Sequence, residues 1–267
     1  MLFGFIIAAL IAVLAVRAKA LANSGGIAAC FVGGLILGFG GWLFGGALLA
    51  FFVTSTVLGR ISKFLKLRPT FNHTVDTYAV LPEKGGRRDA MQVLANGGIA
   101  ALCSVLHGVS SWHAQSQEHL FTVLFLTSLA TANGDTWATE IGSAFGGRPR
   151  LITTWKNVPS GTSGGVTLAG TVASAAGAGL LSSFAFSLDG KLAATIWVCG
   201  VSGVMLDSIL GATLQAQWMD PTTGNYTEKL PAGVHSHKGL SWMRNDQVNI
   251  LSIIAAVILA LYLYCKI

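Results

Sequence analysis

Asn133-Gly134-Asp135-Thr136-Trp137-Ala138-Thr139-Glu140-Ile141-Gly142 sets two carboxylates beside, or inside, a chain otherwise built for lipid. Of its 267 residues 52% are hydrophobic and only 10% are charged, and its mean hydropathy is +0.63. An ionisable side chain at membrane depth is costly, so Asp135 and Glu140 are candidate functional groups before anything else is known. Downstream come Lys156 and the turn Gly161-Thr162-Ser163-Gly164-Gly165, which is expected to open another apolar helix. Carboxylates for a cation, a basic side chain and N–H groups at a helix start are the parts of a phosphate-handling site. The stretch therefore points to phosphoryl chemistry at a membrane surface.

Around it lie eight apolar runs, roughly 2–16, 24–40, 42–59, 90–108, 119–134, 161–187, 192–216 and 247–265. A helical span takes about 20 residues, which makes the first, second and fifth runs short. The expected fold is all-α: a polytopic transmembrane bundle of about eight spans, forming a single integral-membrane domain over residues 1–267. Polar segments fall at about 60–89, 135–160 and 217–246. The first 20 residues resemble a secretory signal ending in Ala18-Lys19-Ala20, but their positive charges follow the apolar core rather than precede it, so a membrane helix is expected.

Basic residues orient the bundle. Arg17, Lys19, Arg60, Lys63, Lys66, Arg68, Lys84, Arg87, Arg88, Arg148, Arg150, Lys156, Lys229, Lys238 and Arg244 follow alternate runs, and only Lys191 and Lys266 fall on the other side. The positive-inside rule makes the rich side cytoplasmic and puts both termini on the non-cytoplasmic side. The net charge of +6 is thus first a topology signal, and also an attraction for anionic lipid or substrate. Nucleic acid is not an expected partner, because no basic segment is interleaved with stacking aromatics. Cys30, Cys103, Cys199 and Cys265 lie in apolar runs without metal-type spacing and read as core residues. The short His235-x-His237 pair reads as loop, and Trp42, Trp112 and Trp242 as interfacial anchors.

Polar residues intrude into the runs at the basic ends. Asp89, Gln92 and Asn96 share a helical face at i, i+3, i+7, and Asp135, Thr139 and Gly142 share another if the helix continues. The alternative for Asp89 is a cap on its helix. Asp207 sits between Gly203 and Gly211, a carboxylate that needs a cation, a donor or a proton. Asn245, Asp246 and Asn249 open the last run. Five helix ends are expected to converge on one cytoplasmic site. The rival class is an ion-coupled transporter using Asp135, Asp207 and Asp246; no inverted symmetry supports it, and it leaves the basic, glycine-rich cluster unexplained.

The segments Lys84-Gly85-Gly86-Arg87-Arg88-Asp89-Ala90, Gln92-Val93-Leu94-Ala95-Asn96-Gly97-Gly98, 133–142 and 156–165 resemble one family over most of the chain. It is the integral-membrane family, long of unknown function, that includes plant phytyl-phosphate kinase. Gly134-Asp135, Lys156, Gly161 and Gly164-Gly165 are more distantly similar to dolichol and phytol kinases, and more remotely to CDP-diacylglycerol synthases, whose Gly-Asp motif binds metal. The resemblance implies transfer of a phosphoryl group from a nucleoside triphosphate, CTP above others, to an isoprenoid monophosphate, with Mg²⁺ as cofactor. A prenyl alcohol acceptor is the alternative. Asp135 then matches the metal carboxylate, and Lys156 with Gly161, Gly164 and Gly165 match the nucleotide-phosphate segment. Where the distant kinases carry an acidic residue before the glycine turn, this chain has Pro159-Ser160. Asp207 is the expected second ligand, with Glu140 as a further metal candidate. Asp135, Lys156 and Arg88 are expected to be catalytic. Phosphate binding is expected from Lys84, Arg87, Arg88, Asn96, Lys156, Gly161, Thr162, Ser163, Gly164 and Gly165. Asp89, Gln92, Asn133, Thr139, Asp246 and Asn249 complete the polar site.

Overall fold

The computed structural model describes residues 1–66, 87–112, 118–219, 226–227 and 238–267. Among these are seven helices: α1 Leu2–Arg17, α2 Asn23–Lys66, α3 Ala90–Trp112, α4 Glu118–Phe145, α5 Leu168–Ser182, α6 Gly190–Thr213 and α7 Asn245–Tyr264. A single turn, Ser183–Ala185, prolongs α5. The only strands among the described residues are two-residue pieces. β1 (Arg150–Leu151) pairs antiparallel with β2 (Gly165–Val166), and β3 (Trp218–Met219) with β4 (Tyr226–Thr227).

Small residues set the packing, because in lipid the gain from association comes from close backbone approach rather than from apolar burial. α1 buries Gly4, Ala8, Ala12 and Ala15, one helical face, against α2, while Leu2, Phe3, Leu10 and Leu14 stay exposed. Large apolar side chains facing outward on Ile27, Phe31, Leu168 and Val172 suit a hydrocarbon surround.

α2 is two arms rather than one rod. At Gly41 the backbone takes φ 68°, ψ −157°, a region open in practice only to glycine. Leu48 then comes to 3.9 Å from a β-carbon position on Gly33. In a straight helix those residues would stand about 22 Å apart, so the second arm doubles back on the first. The break falls between the runs read at 24–40 and 42–59.

Five helices are long and apolar enough to cross a membrane by length and composition: α2, α3, α5 with its added turn, α6 and α7; α1 is apolar but shorter. α4 is the polar exception, and its position explains why. It packs against α2, α3, α5, α6 and α7, and Val123, Phe125, Leu126, Leu129 and Ala130 are fully buried. A helix walled in by protein can carry groups that lipid would reject.

Three sequence boundaries are corrected. The run expected to end near 134 continues as α4 to Phe145, so Asp135 lies inside a helix and the polar segment starts some ten residues later than 135. Residues 161–167 do not open a helix: they form a turn and β2, and α5 begins at Leu168, where the Thr167 hydroxyl accepts from the Gly170 N–H at 3.0 Å. The seventh run ends as helix at Thr213.

Candidate active site

Asp135 of α4 and Asp207 of α6 interact electrostatically across the α4–α6 contact. Glycines bring the helices close enough for that. A β-carbon on Gly134 would lie 2.9 Å from the Ser174 carbonyl of α5 and 3.0 Å from Val204 of α6. One on Gly200 would meet Ala130 at 2.9 Å, and one on Gly203 would meet Ala256 of α7 at 2.9 Å. Asp207 is one turn beyond Gly203, Asp135 one residue beyond Gly134, and the two half-buried carboxylates lie within electrostatic reach of one another.

The Asp207 carboxylate is oriented from α7. Ser252 Oγ donates to its Oδ2 at 3.0 Å, and the Asn249 amide, turned so that its nitrogen faces the carboxylate, donates to the same oxygen at 3.1 Å. Asn249 was legible in the sequence and Ser252 was missed. The signal for it was spacing: it continues the 245, 249 face by three residues. Among the described residues no basic side chain faces the Asp135–Asp207 pair. Two carboxylates in that situation repel unless they share a proton or a cation. A Mg²⁺ ion, which takes one or two carboxylates and fills its shell with phosphate oxygens and water, fits this donor set.

The glycine turn docks one helical turn further along α6. Gly164, at φ 78°, lies against the Ala212 backbone so closely that no β-carbon fits. A β-carbon on Gly211 would come to 3.1 Å from the Gly164 nitrogen. Ser163 Oγ accepts from Gln217 Nε2 at 3.0 Å, and Thr162 Oγ1 donates to the Pro159 carbonyl at 2.8 Å. The Gly165 N–H is bound to the Thr162 carbonyl at 2.9 Å, so that amide is spent inside the turn. Lys156 is exposed on the loop between β1 and β2.

Other expected site residues divide. Glu140 does not join the aspartates: no group of three or more potential metal ligands occurs among the described residues. Five residues past Asp135 it points to a different side of α4, 3.3 Å from a β-carbon position on Gly59 of α2, and it acts electrostatically on Arg88. Asn133 is a fully buried strut: its nitrogen donates to the Gly177 carbonyl at 2.7 Å, and its oxygen accepts from Thr54 and Ser55, each at 3.3 Å. Asp89 and Gln92 make a reciprocal cap on α3: the Gln92 N–H donates to Asp89 Oδ1 at 3.0 Å and the Asp89 N–H to Gln92 Oε1 at 3.2 Å. Arg88, Gln92 and Asn96 border a cavity between α1, α2 and α3. Burial pulls the Arg88 guanidinium below its usual pKa and Glu140 pushes it back. Arg87 and Thr139 are exposed, and Asp246 stands in the first turn of α7. Lys84 lies outside the described residues, as do Arg68, His235 and His237.

The profile of the integral membrane protein family DUF92 matches residues 6–257. The chain belongs to that family. Protein PGR of Arabidopsis thaliana is 34% identical over 278 residues, covering 95% of this chain and 92% of that protein. An uncharacterized membrane protein of Methanocaldococcus jannaschii is 27% identical, covering 98% of this chain and 93% of its own. Protein VTE6, chloroplastic, of Arabidopsis thaliana is 28% identical, covering 90% of this chain and 64% of that protein. No solved structure matches. The family expected from the 84–98, 133–142 and 156–165 motifs is the family found.

Proposed function

We propose that this protein transfers the terminal phosphoryl group of a nucleoside triphosphate to an isoprenoid monophosphate at a membrane surface. The products are the prenyl diphosphate and a nucleoside diphosphate, and CTP is the donor favoured by the family resemblance. The observation that carries the reading is the Asp135–Asp207 pair, in electrostatic reach of one another one helical turn from the docked glycine turn. Mg²⁺ held by those carboxylates would neutralise charge on the donor's β- and γ-phosphates. Ser252 and Asn249 hold the Asp207 carboxylate in one orientation. An oxygen of the acceptor phosphate attacks the γ-phosphorus in line. The β–γ bridging bond breaks, and its electron pair leaves with the nucleoside diphosphate. A phosphate acceptor is anionic near neutral pH and needs no strong general base, in keeping with a site centred on two carboxylates. Arg88 and Lys156 offset the repulsion between two anionic substrates.

The same reading sets the topology. The described residues hold eight helical segments when α2 is counted as two arms, and an even number of crossings supports both termini on one side. The basic side, with the glycine turn, faces the cytoplasm. Single cysteines at positions 156 and 191 should be labelled by an impermeant maleimide from opposite faces of sealed vesicles; labelling from the same face would break the arrangement. Lys156→Ala removes a charge-assisted phosphate contact and should weaken nucleotide binding about tenfold. A Kd unchanged by titration calorimetry would place the nucleotide elsewhere.

The activity itself is tested with purified protein, each nucleoside triphosphate, and a panel of prenyl alcohols and monophosphates. Diphosphate formed from the monophosphates is the expected product. Phosphorylation of the alcohols alone would make the protein an alcohol kinase, and no transfer from any nucleotide would overturn the reading.

A further inference from the structure

A cavity of about 100 Å³ lies where α1, the two arms of α2 and α3 meet, with Arg88 on its lining in electrostatic reach of Glu140 of α4. Ala8, Ala12, Val32, Leu48 and Phe51 are among the apolar residues on its wall. Its polar lining is Arg88, two residues before α3, with Gln92 and Asn96, one turn apart on α3. Arg88 is fixed there by backbone pairing to the α1–α2 connection: its N–H donates to the Ala20 carbonyl at 3.1 Å and its carbonyl accepts from the Ala22 N–H at 2.9 Å. The guanidinium carbon stands 5.6 Å from the centre of the Phe51 ring, with Glu140 in electrostatic reach. The Asn96 amide donates to the Gln92 carbonyl at 2.9 Å, leaving its oxygen as the acceptor end.

Such a space suits an amphiphile. Water would find few partners along an aliphatic wall, and a fixed cation at one end selects for an anion. We infer that this cavity seats the acceptor lipid, with its phosphate at Arg88 and the first carbons of a single isoprenoid chain among Ala8, Ala12, Leu48 and Phe51. The identity of the anion rests on the proposed phosphotransferase reading; the shape and charge of the seat do not. At about 10–15 Å³ for each water-sized group, the cavity takes roughly seven to ten such groups. It therefore holds at most the first two isoprenoid units, and the rest of a longer chain runs out into the bilayer. Selectivity should depend on the proximal units and be indifferent to the tail.

The test uses the full chain in nanodiscs, with dimethylallyl, geranyl and geranylgeranyl monophosphates as acceptors. Acceptor KM should fall from dimethylallyl to geranyl and then level. Ala29→Leu and Leu49→Trp, two residues on the lining, fill the space without touching the aspartates. Each should raise the KM for the longer acceptors about tenfold, since two or so methylenes lose their seat, while kcat and nucleotide KM hold. Arg88→Ala should raise acceptor KM for all chain lengths, and Arg88→Lys should recover part of it. A second readout needs no turnover: a geranyl monophosphate carrying a diazirine should crosslink to α1, α2 and α3 peptides. Excess geranyl monophosphate should suppress the crosslink, and phosphatidylglycerol should not. Crosslinks on α5 to α7, suppression by phosphatidylglycerol, or an unmoved acceptor KM in folded variants would each overturn the inference. Crosslinking in the cavity without phosphoryl transfer would uphold the seat and sink the kinase reading instead.

Discussion

Asp135→Asn and Asp207→Asn should each abolish phosphoryl transfer while the protein inserts and folds as the parent does. The substitution keeps the side-chain volume, so the α4–α6 contact built on Gly134, Gly200 and Gly203 is undisturbed. What it removes is half of a divalent-cation site, and losing charge stabilisation at a transferring phosphoryl group should cost about 10³-fold or more in kcat. Stability supplies an independent sign. Two neighbouring carboxylates that no basic side chain among the described residues offsets repel in the metal-free protein unless they share a proton, so either Asn variant should melt at or above the parent's Tm in chelator. Mg²⁺ with nucleotide should raise the Tm of the parent and of neither variant. Ser252→Ala should do less, because Asn249 still donates to Asp207 Oδ2. A normally active Asp135→Asn protein would remove the kinase reading together with the metal.

Gly164→Val should cost most of the folded protein's stability margin, or detach the turn and take nucleotide binding with it. Two effects coincide at this residue. Its φ of 78° is in the left-handed region, which costs a β-branched residue roughly 1–3 kcal/mol. The added atoms would also press into the Ala212 backbone of α6, and overpacking costs roughly another 1–3 kcal/mol because backbone cannot rotate away. Gly98→Ala is the matching control: a β-carbon there meets nothing within 4 Å and the backbone is helical. Fluorescence-detected thermal unfolding in detergent should separate the two, with Gly98→Ala near the parent. Equal stability of Gly164→Val and Gly98→Ala would mean that the glycine turn is not packed on α6.

Much of the bundle could be read from hydropathy because lipid demands long apolar helices and little else. The break at Gly41 showed as a gap between runs, although the doubling back of α2 is visible only in three dimensions. α4 was misjudged for a physical reason. Hydropathy assumes that a helix meets lipid, whereas α4 meets five other helices, so Asp135 and Glu140 read as a helix end when they sit well inside it. In sequence the 161–165 turn looks like a helix start, because glycines after a basic residue suit an anion. Its Gly164 serves first to let the backbone rest on Gly211 and Ala212 of α6. The pairing of Asp135 with Asp207 could be anticipated from depth alone, since both were carboxylates near the same end of apolar runs. The opposite outcomes for Glu140 and Asn133 could not. Which side of a buried helix a polar residue faces depends on neighbours distant in sequence: Gly59 and Arg88 for one, Thr54, Ser55 and Gly177 for the other.

The claim on which the account turns is that Asp135 and Asp207 hold one divalent cation in contact with the donor nucleotide. Mn²⁺ in place of Mg²⁺ makes it directly visible by electron paramagnetic resonance. The parent should bind a single Mn²⁺ per chain in the presence of CTP, with phosphorus couplings from the nucleotide in the pulsed spectrum. Asp135→Asn and Asp207→Asn should both lose that signal. A bound Mn²⁺ with the same couplings in both variants would contradict the account.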